Sequence, residues 1–93
     1  MEKYAFIKEL TKKYLDGDLS TLRMDYNSTK IATVDVIYED YNKYRFDYIL
    51  EIDKESKKVK FLKHFCEYGR DQIGLKRNKV FEDAVKEYLF EQI

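Results

Sequence analysis

The sequence predicts an α+β domain: an N-terminal helix, a three- to four-stranded antiparallel β-meander and a C-terminal helix, with both helices packed on one face of the sheet. Three observations predict this fold. Apolar residues recur at helical spacing at both ends of the chain, they alternate with polar residues in the middle, and the middle segments are joined by short polar connections. A length of 93 residues fits a single small domain over residues 1–93.

The first predicted helix covers residues 2–16. Phe6, Leu10 and Tyr14 recur on one side of it, and charged residues occupy the other side. Gly17 follows where a residue in the left-handed conformation commonly ends a helix. We therefore expect Gly17 to terminate the helix.

Two strands are predicted next. Leu22, Met24 and Tyr26 alternate with charged residues, which indicates a short edge strand. Residues 30–38 are rich in β-branched side chains, which favour a strand. The turn-forming residues 27–28 lie between them, so the two strands should form a hairpin.

The clearest alternation covers residues 44–53, where five large apolar side chains share one face, and it predicts the central strand. A polar connection of hairpin length, residues 54–57, leads to residues 58–65. The apolar positions of that segment fit a strand or a helix, and its place after a hairpin turn favours a strand. In a regular strand Val59 and Cys66 would face opposite ways, so its register stays open.

Residues 69–77 contain two glycines and no periodicity, so they are predicted to form a loop. Asn78 is suited to cap the start of a helix. From there to the end of the chain Phe81, Val85 and neighbouring apolar residues keep helical spacing. This segment is the second predicted helix.

Composition excludes several classes of protein. A hydrophobic content of 44% and an aromatic content of 16% exceed what disordered chains carry. The apolar runs are far shorter than the roughly 20 residues that span a membrane, and the first residues do not resemble a secretory signal. We expect a cytoplasmic protein with no membrane segment. Cys66 is the only cysteine, which rules out an internal disulfide and a cysteine-based zinc site within one chain.

The 18 basic and 18 acidic residues are unevenly distributed. Residues 54–79 hold nine basic and three acidic side chains, whereas both flanking segments have an acidic excess. A basic surface of this kind suits phosphate binding, although lysines also protect sheet edges from unwanted pairing. The candidate nucleic-acid-binding residues are Lys57, Lys58, Lys60, Arg70, Lys76, Arg77 and Lys79.

The order helix, strands, helix is similar to that of double-stranded-RNA-binding domains, in which a lysine-rich turn at the second helix contacts phosphates. The Gly-Leu-Lys-Arg-Asn-Lys segment at residues 74–79 resembles that turn. The second helix departs from the family pattern of small residues, since only Ala84 matches it while Phe81, Tyr88 and Phe90 are bulky. Nucleic-acid binding is therefore an alternative function and not a family assignment.

His64 and Cys66 are two residues apart, so a strand places both on one face. A nucleophilic cysteine would need an exposed thiolate beside the imidazole. The neighbours of both residues are apolar or aromatic, which favours a packing role.

Carboxylates on the polar face of the central strand are a second chemical candidate. Asp47, Glu51 and Asp53 lie there, and paired carboxylates can hold Mg²⁺. A solvated strand face balanced by Arg45 and Lys60 explains the same pattern. Because the sequence has no known catalytic or phosphate-binding motif and no zinc-ligand spacing, we expect no enzyme, no metal and no cofactor.

The connection between the two clearest strands, residues 38–44, places three tyrosines around two carboxylates. Tyrosine dominates many protein interfaces, which predicts a protein-contact site. The alternative is a hairpin in which Tyr38 and Tyr44 pair across the strands. The predicted protein-binding residues are Tyr38, Glu39, Asp40, Tyr41, Tyr44, Asp47 and Glu51.

These observations predict a non-enzymatic protein-binding module, monomeric or homodimeric. Small, tyrosine-rich chains of this type occur among phage or mobile-element inhibitors and among bacterial immunity or antitoxin proteins. Such a protein would act by steric block or by charge mimicry. In the second mode the following carboxylates would stand in for phosphates: Glu39, Asp40, Asp47, Glu51 and Asp53.

Overall fold

The computed structural model describes residues 3–68 and 71–91. The elements are α1 (Lys3–Leu15), β1 (Asp18–Tyr26), β2 (Ile31–Glu39), β3 (Arg45–Asp53), β4 (Lys58–Tyr68), β5 (Asp71–Gly74) and α2 (Lys79–Glu91). The strands form one antiparallel sheet in the order β1-β2-β3-β4-β5, so each strand pairs with its neighbours in the chain. The predicted α+β meander, with β3 at its centre, is confirmed.

Both helices cover the same face of the sheet, as predicted. No described element covers the other face, which we call the open face. The two helices meet each other through Phe6 and Tyr88, whose rings stack with centroids 4.0 Å apart. The core between helices and sheet consists of Ile7, Leu10, Leu19, Val34, Val36, Tyr38, Tyr48, Leu50, Ile52, Phe81 and Val85.

The end of α1 differs from the prediction. Asp16, and not Gly17, adopts the left-handed conformation, with φ of 57°. Gly17 is needed for a different reason. A Cβ atom there would lie 2.6 Å from Cδ2 of Tyr38 and 2.8 Å from the carbonyl oxygen of Glu39. The chain therefore enters β1 by passing directly against the end of β2.

We predict that Gly17→Ala destabilises the fold by about 1–3 kcal/mol, because the added methyl group meets a backbone oxygen that cannot move alone. Chemical denaturation measures the change in the free energy of unfolding. Gly74→Ala is the matched control, since a Cβ at Gly74 meets nothing within 4 Å. Equal stability of the two variants would contradict the close approach at Gly17.

A bulge in β4 resolves the register that the sequence leaves open. Leu50 pairs with Phe61, whereas Ile49 pairs with Lys63, so Leu62 is an extra residue in the strand. Such a bulge resets the alternation of side chains. The apolar positions before and after it consequently face the helices together.

The prediction of a continuous loop over residues 69–77 is wrong, because Asp71–Gly74 form β5 against the end of β4. A four-residue strand with a glycine shows no clear alternation, which explains the error. The first strand is also longer than predicted and begins at Asp18. The predicted cap of α2 is confirmed, since the backbone N–H of Phe81 donates to Oδ1 of Asn78 at 3.0 Å.

A buried polar cluster joins α2 to the centre of the sheet. The Tyr48 hydroxyl donates to Oε2 of Glu82 at 2.5 Å and accepts from the backbone N–H of Asn78 at 2.6 Å. Arg77 binds the other carboxylate oxygen of Glu82 at 2.5 Å. Burial and the bond to Glu82 raise the pKa of Tyr48 above its usual range. The hydroxyl of Tyr48 therefore stays protonated and remains a donor.

We predict that Tyr48→Phe destabilises the protein by about 1–3 kcal/mol, because Glu82 and the Asn78 N–H each lose a partner in a buried place. The free energy of unfolding from urea titration checks this. Tyr26→Phe is the control, since the Tyr26 ring is exposed. A Tyr48→Phe variant as stable as the control would show that the cluster contributes little.

Candidate functional site

The β2–β3 connection is a turn that its own hydrogen bonds hold in one shape. Oδ1 of Asp40 accepts from the backbone N–H groups of Asn42 at 2.9 Å and of Tyr44 at 3.0 Å. The backbone N–H of Asp40 donates to the Tyr44 carbonyl at 3.2 Å, and that of Lys43 to the Asp40 carbonyl at 3.1 Å. Lys43 completes the turn with φ of 66°. The turn is therefore structured without help from the rest of the chain.

Tyr41 stands at the tip of this turn with 95% of its surface exposed. Its ring gains nothing from packing within the domain. Tyrosine has few rotatable bonds, so it provides a large contact area at a small entropic cost. On a turn of fixed shape the ring is presented to another molecule without prior rearrangement.

A groove of about 290 Å³ lies beside the turn, between it and the connection from α1 to β1. Its lining is mostly charged, and one pair within it is joined, with Nζ of Lys12 3.4 Å from Oδ1 of Asp18. Small-molecule pockets are usually enclosed and mainly apolar. This groove differs from such pockets in its mostly charged lining. Its lining residues are Lys12, Asp16, Gly17, Asp18, Glu39, Asp40, Tyr41 and Lys43.

Tyr38 does not belong to this surface, contrary to the prediction. It is only 3% exposed, because the alternation of β2 places it on the helix-covered face. Its hydroxyl lies 2.5 Å from Nε2 of His64, and its ring stacks on Phe46 with centroids 4.9 Å apart. Phe46, and not Tyr44, is its partner across the hairpin. Tyr38 is a core residue that cannot contact another protein.

Asp47 is also placed differently from the prediction of a solvated strand face. It is on the open face but only 4% exposed. In the sheet it lies between Ile37 of β2 and Phe65 of β4, whose side chains flank it. Its Oδ1 accepts from Nε of Arg45 at 3.3 Å. A residue so enclosed and paired is not available to mimic a phosphate.

Asp35, which the sequence does not single out, forms a carboxyl pair with Asp47. Burial, together with a hydrogen bond to Asp47, raises the pKa of Asp35 to about 7, although Arg23 and Arg45 oppose the shift. Oδ1 of Asp35 is buried and has no hydrogen-bond partner among the described residues. Asp35 therefore keeps its proton over much of the acidic range. Only the strand register could have revealed this pair.

The wild type should lose part of its free energy of unfolding as the pH rises from about 4 to about 7, and we predict that Asp35→Asn makes this loss smaller. The unfolded pKa of Asp35 is near 3.8 and the folded value is about 7, so the protonated pair contributes its full stability below about pH 4. That contribution is lost as the pH rises from about 4 to about 7. Asparagine keeps a donor toward Asp47 at every pH.

Thermal unfolding from pH 4 to pH 8, the interval set by the two pKa values, measures this effect. The variant should gain in midpoint over the wild type as the pH rises. Asp25→Asn, an exposed carboxylate on the same face, is the control. A midpoint difference between Asp35→Asn and wild type that does not change with pH would contradict the raised pKa of Asp35.

The remaining predicted carboxylates are dispersed. Glu51 lies in the middle of the open face opposite Lys60. Asp53 lies at the far end of β3, where its Oδ1 accepts from two backbone N–H groups of the next turn, which lowers its pKa. Glu39 and Asp40 are at the opposite end of the sheet, about 30 Å away along a nine-residue strand. The structure brings only these last two together with Tyr41.

The predicted basic residues do not form one surface. Lys57 and Lys58 lie at the β3–β4 hairpin, and Lys60 points to the open face. Lys76 and Lys79 lie on the helix-covered side, around the start of α2.

Arg77 is already occupied by Glu82, and its guanidinium lies 5.4 Å from the centre of the Phe61 ring. Arg70 lies outside the described residues. The basic excess of residues 54–79 is therefore divided between two faces of the sheet.

His64 and Cys66 share a face and are buried, as the packing interpretation predicts. Nδ1 of His64 donates to the Lys76 carbonyl at 2.9 Å, so Nε2 accepts from the hydroxyl of Tyr38. Burial lowers the pKa of His64 and raises the pKa of the Cys66 thiol. A neutral imidazole with both nitrogens engaged and a protonated thiol do not form a nucleophilic pair.

Within residues 3–68 and 71–91, no three His, Cys, Asp or Glu side chains are close enough to hold a metal ion together. Neither helix, over the part that the structure describes, has the length and apolar character required to cross a bilayer. The chain matches no protein-family model, no curated protein and no solved structure.

Proposed function

We propose that the protein is a non-enzymatic protein-binding module that acts through the turn after β2 and the adjacent groove. We call this the hairpin-end surface, and it consists of Lys12, Asp16, Asp18, Glu39, Asp40, Tyr41 and Lys43. The observation that carries the proposal is the almost fully exposed Tyr41 on a turn that is already structured.

A protein fits this surface better than a small molecule does. Binding energy at protein interfaces is concentrated in a few aromatic anchors, which are surrounded by polar residues that exclude water. Tyr41 has the position of such an anchor, and the charged groove beside it has the composition of a polar rim. Because the turn needs no ordering on binding, little of the interaction energy is lost to conformational entropy.

The mode of action that we propose is steric block. Charge mimicry by the predicted carboxylates would require them all on one exposed surface, whereas Asp47 is buried and Asp53 is at the other end of β3. Glu39 and Asp40 still favour a partner with a basic patch, because complementary charge speeds association. The protein would then inhibit its target by occupying that patch.

We predict that Tyr41→Ala weakens binding to the partner by at least about thirtyfold, the loss expected for an interface anchor worth about 2 kcal/mol. The thermal midpoint should not change, since the ring packs against nothing within the domain. The partner is first captured by a photo-cross-linking amino acid at position 42, which is exposed next to the anchor. Its affinity for purified variants is then measured by calorimetry.

Tyr26→Ala is the matched control, because Tyr26 is exposed at the opposite end of the sheet. It should bind the captured partner like the wild type. An equal loss for both tyrosine variants, or wild-type affinity for Tyr41→Ala, would overturn the hairpin-end surface as the binding site.

A further inference from the structure

The outer edge of β5 has backbone groups that no described element pairs. β5 is the last strand of the sheet. The backbone N–H of Leu75 donates to the His64 carbonyl at 2.7 Å, so Leu75 directs its backbone groups toward β4. The direction of the backbone groups alternates along an antiparallel strand. The N–H and C=O groups of Ile73 therefore also point toward β4, whereas those of Gln72 and Gly74 point away from the sheet.

The side chains along this edge leave it accessible. Ile73 is 51% exposed although it belongs to the helix-covered face, and Leu75 is also exposed. Gly74 has no side chain, and a Cβ there would meet nothing. On the open face Gln72 accepts a hydrogen bond from Nζ of Lys63 at 2.6 Å, which holds it close to the sheet.

The opposite edge of the sheet is protected. The Tyr4 hydroxyl donates to the Leu19 carbonyl at 3.2 Å, which occupies one edge group of β1. The register of β1 also breaks between Leu19 and Thr21. Bulges and covered edge groups prevent pairing with other strands. Apart from its shortness, β5 has neither of these protections.

We propose that β5 pairs in antiparallel orientation with β5 of a second copy of this chain, across a two-fold axis at Ile73. In that arrangement Gln72 lies opposite Gly74 of the second copy. By symmetry, Gly74 lies opposite Gln72 of the second copy. Each of these two pairs exchanges two backbone hydrogen bonds. The two Ile73 side chains face each other in the close, non-hydrogen-bonded position between them, where their exposed surfaces are buried.

A second copy complements this edge because the strand has opposite charges at its two ends. Asp71 begins β5 and Lys76 follows it, so antiparallel pairing sets each Asp71 near the Lys76 end of the other copy. An isologous contact of this kind closes after two chains. Its small area, compared with the roughly 1,200–2,000 Å² of a stable interface, predicts a weak dimer.

Gly74→Pro is the decisive variant. Because the Gly74 N–H points away from β4, proline removes a hydrogen bond of the dimer and none of the β4–β5 ladder. Gly74→Ala is the matched control, since it keeps the N–H. Sedimentation velocity is measured from about 10 μM to about 1 mM, where a contact of this size associates. Circular dichroism confirms that each variant is folded.

The wild type and Gly74→Ala should form dimers as the concentration rises, whereas Gly74→Pro should dissociate at least about tenfold more readily. If the proline variant does not fold, Ile73→Lys provides the same test, because the two lysines would face each other at the two-fold axis and repel each other. A wild type that stays monomeric throughout would overturn the proposal. So would a folded Gly74→Pro or Ile73→Lys variant that dimerises like the wild type.

Discussion

The fold depends on how one buried carboxylate is satisfied. Glu82 lies in the first turn of α2 and is held from two sides, by the hydroxyl of Tyr48 on the central strand and by Arg77. A buried charge without such partners would cost several kcal/mol. This requirement fixes where α2 sits on the sheet, and hence which apolar residues of the helix enter the core. It also leads residues 75–78 across β4, where the backbone carbonyl of Lys76 accepts a hydrogen bond from Nδ1 of His64.

Buried acidic groups have different partners on the two faces of the sheet. On the helix-covered face Glu82 has an arginine and a tyrosine as partners, and the contact joins two elements. On the open face Asp35 is half-buried beside Asp47, and Arg23 and Arg45 only partly offset the resulting rise in the pKa of Asp35. The second arrangement lowers the stability of the domain as the pH rises toward neutrality, because Asp35 loses its proton there. The neutral net charge of the chain therefore does not reveal how the individual buried carboxylates are paired.

Elements with strong periodicity could be predicted from the sequence, and the exceptions have physical causes. The alternation in β3 and the helical spacing around Phe81 are local properties, so both elements were predicted correctly. The bulge at Leu62 and the burial of Asp47 depend on pairing with neighbouring strands, which composition does not reveal. Tyr38 was misplaced because its position near a turn suggested a surface residue, although the alternation of β2 places it on the helix-covered face, where it contacts His64.

The turn after β2 gets its shape from the backbone and from a single side chain, that of Asp40. Positions 41 and 42 contribute no side-chain bond to it that the structure shows, and position 43 requires only a residue that accepts a positive φ. Changes of residue type at the tip are therefore tolerated by the scaffold independently of what they do to binding. A domain built in this way can acquire new recognition specificity through a few substitutions at one loop, while its folding energy stays the same.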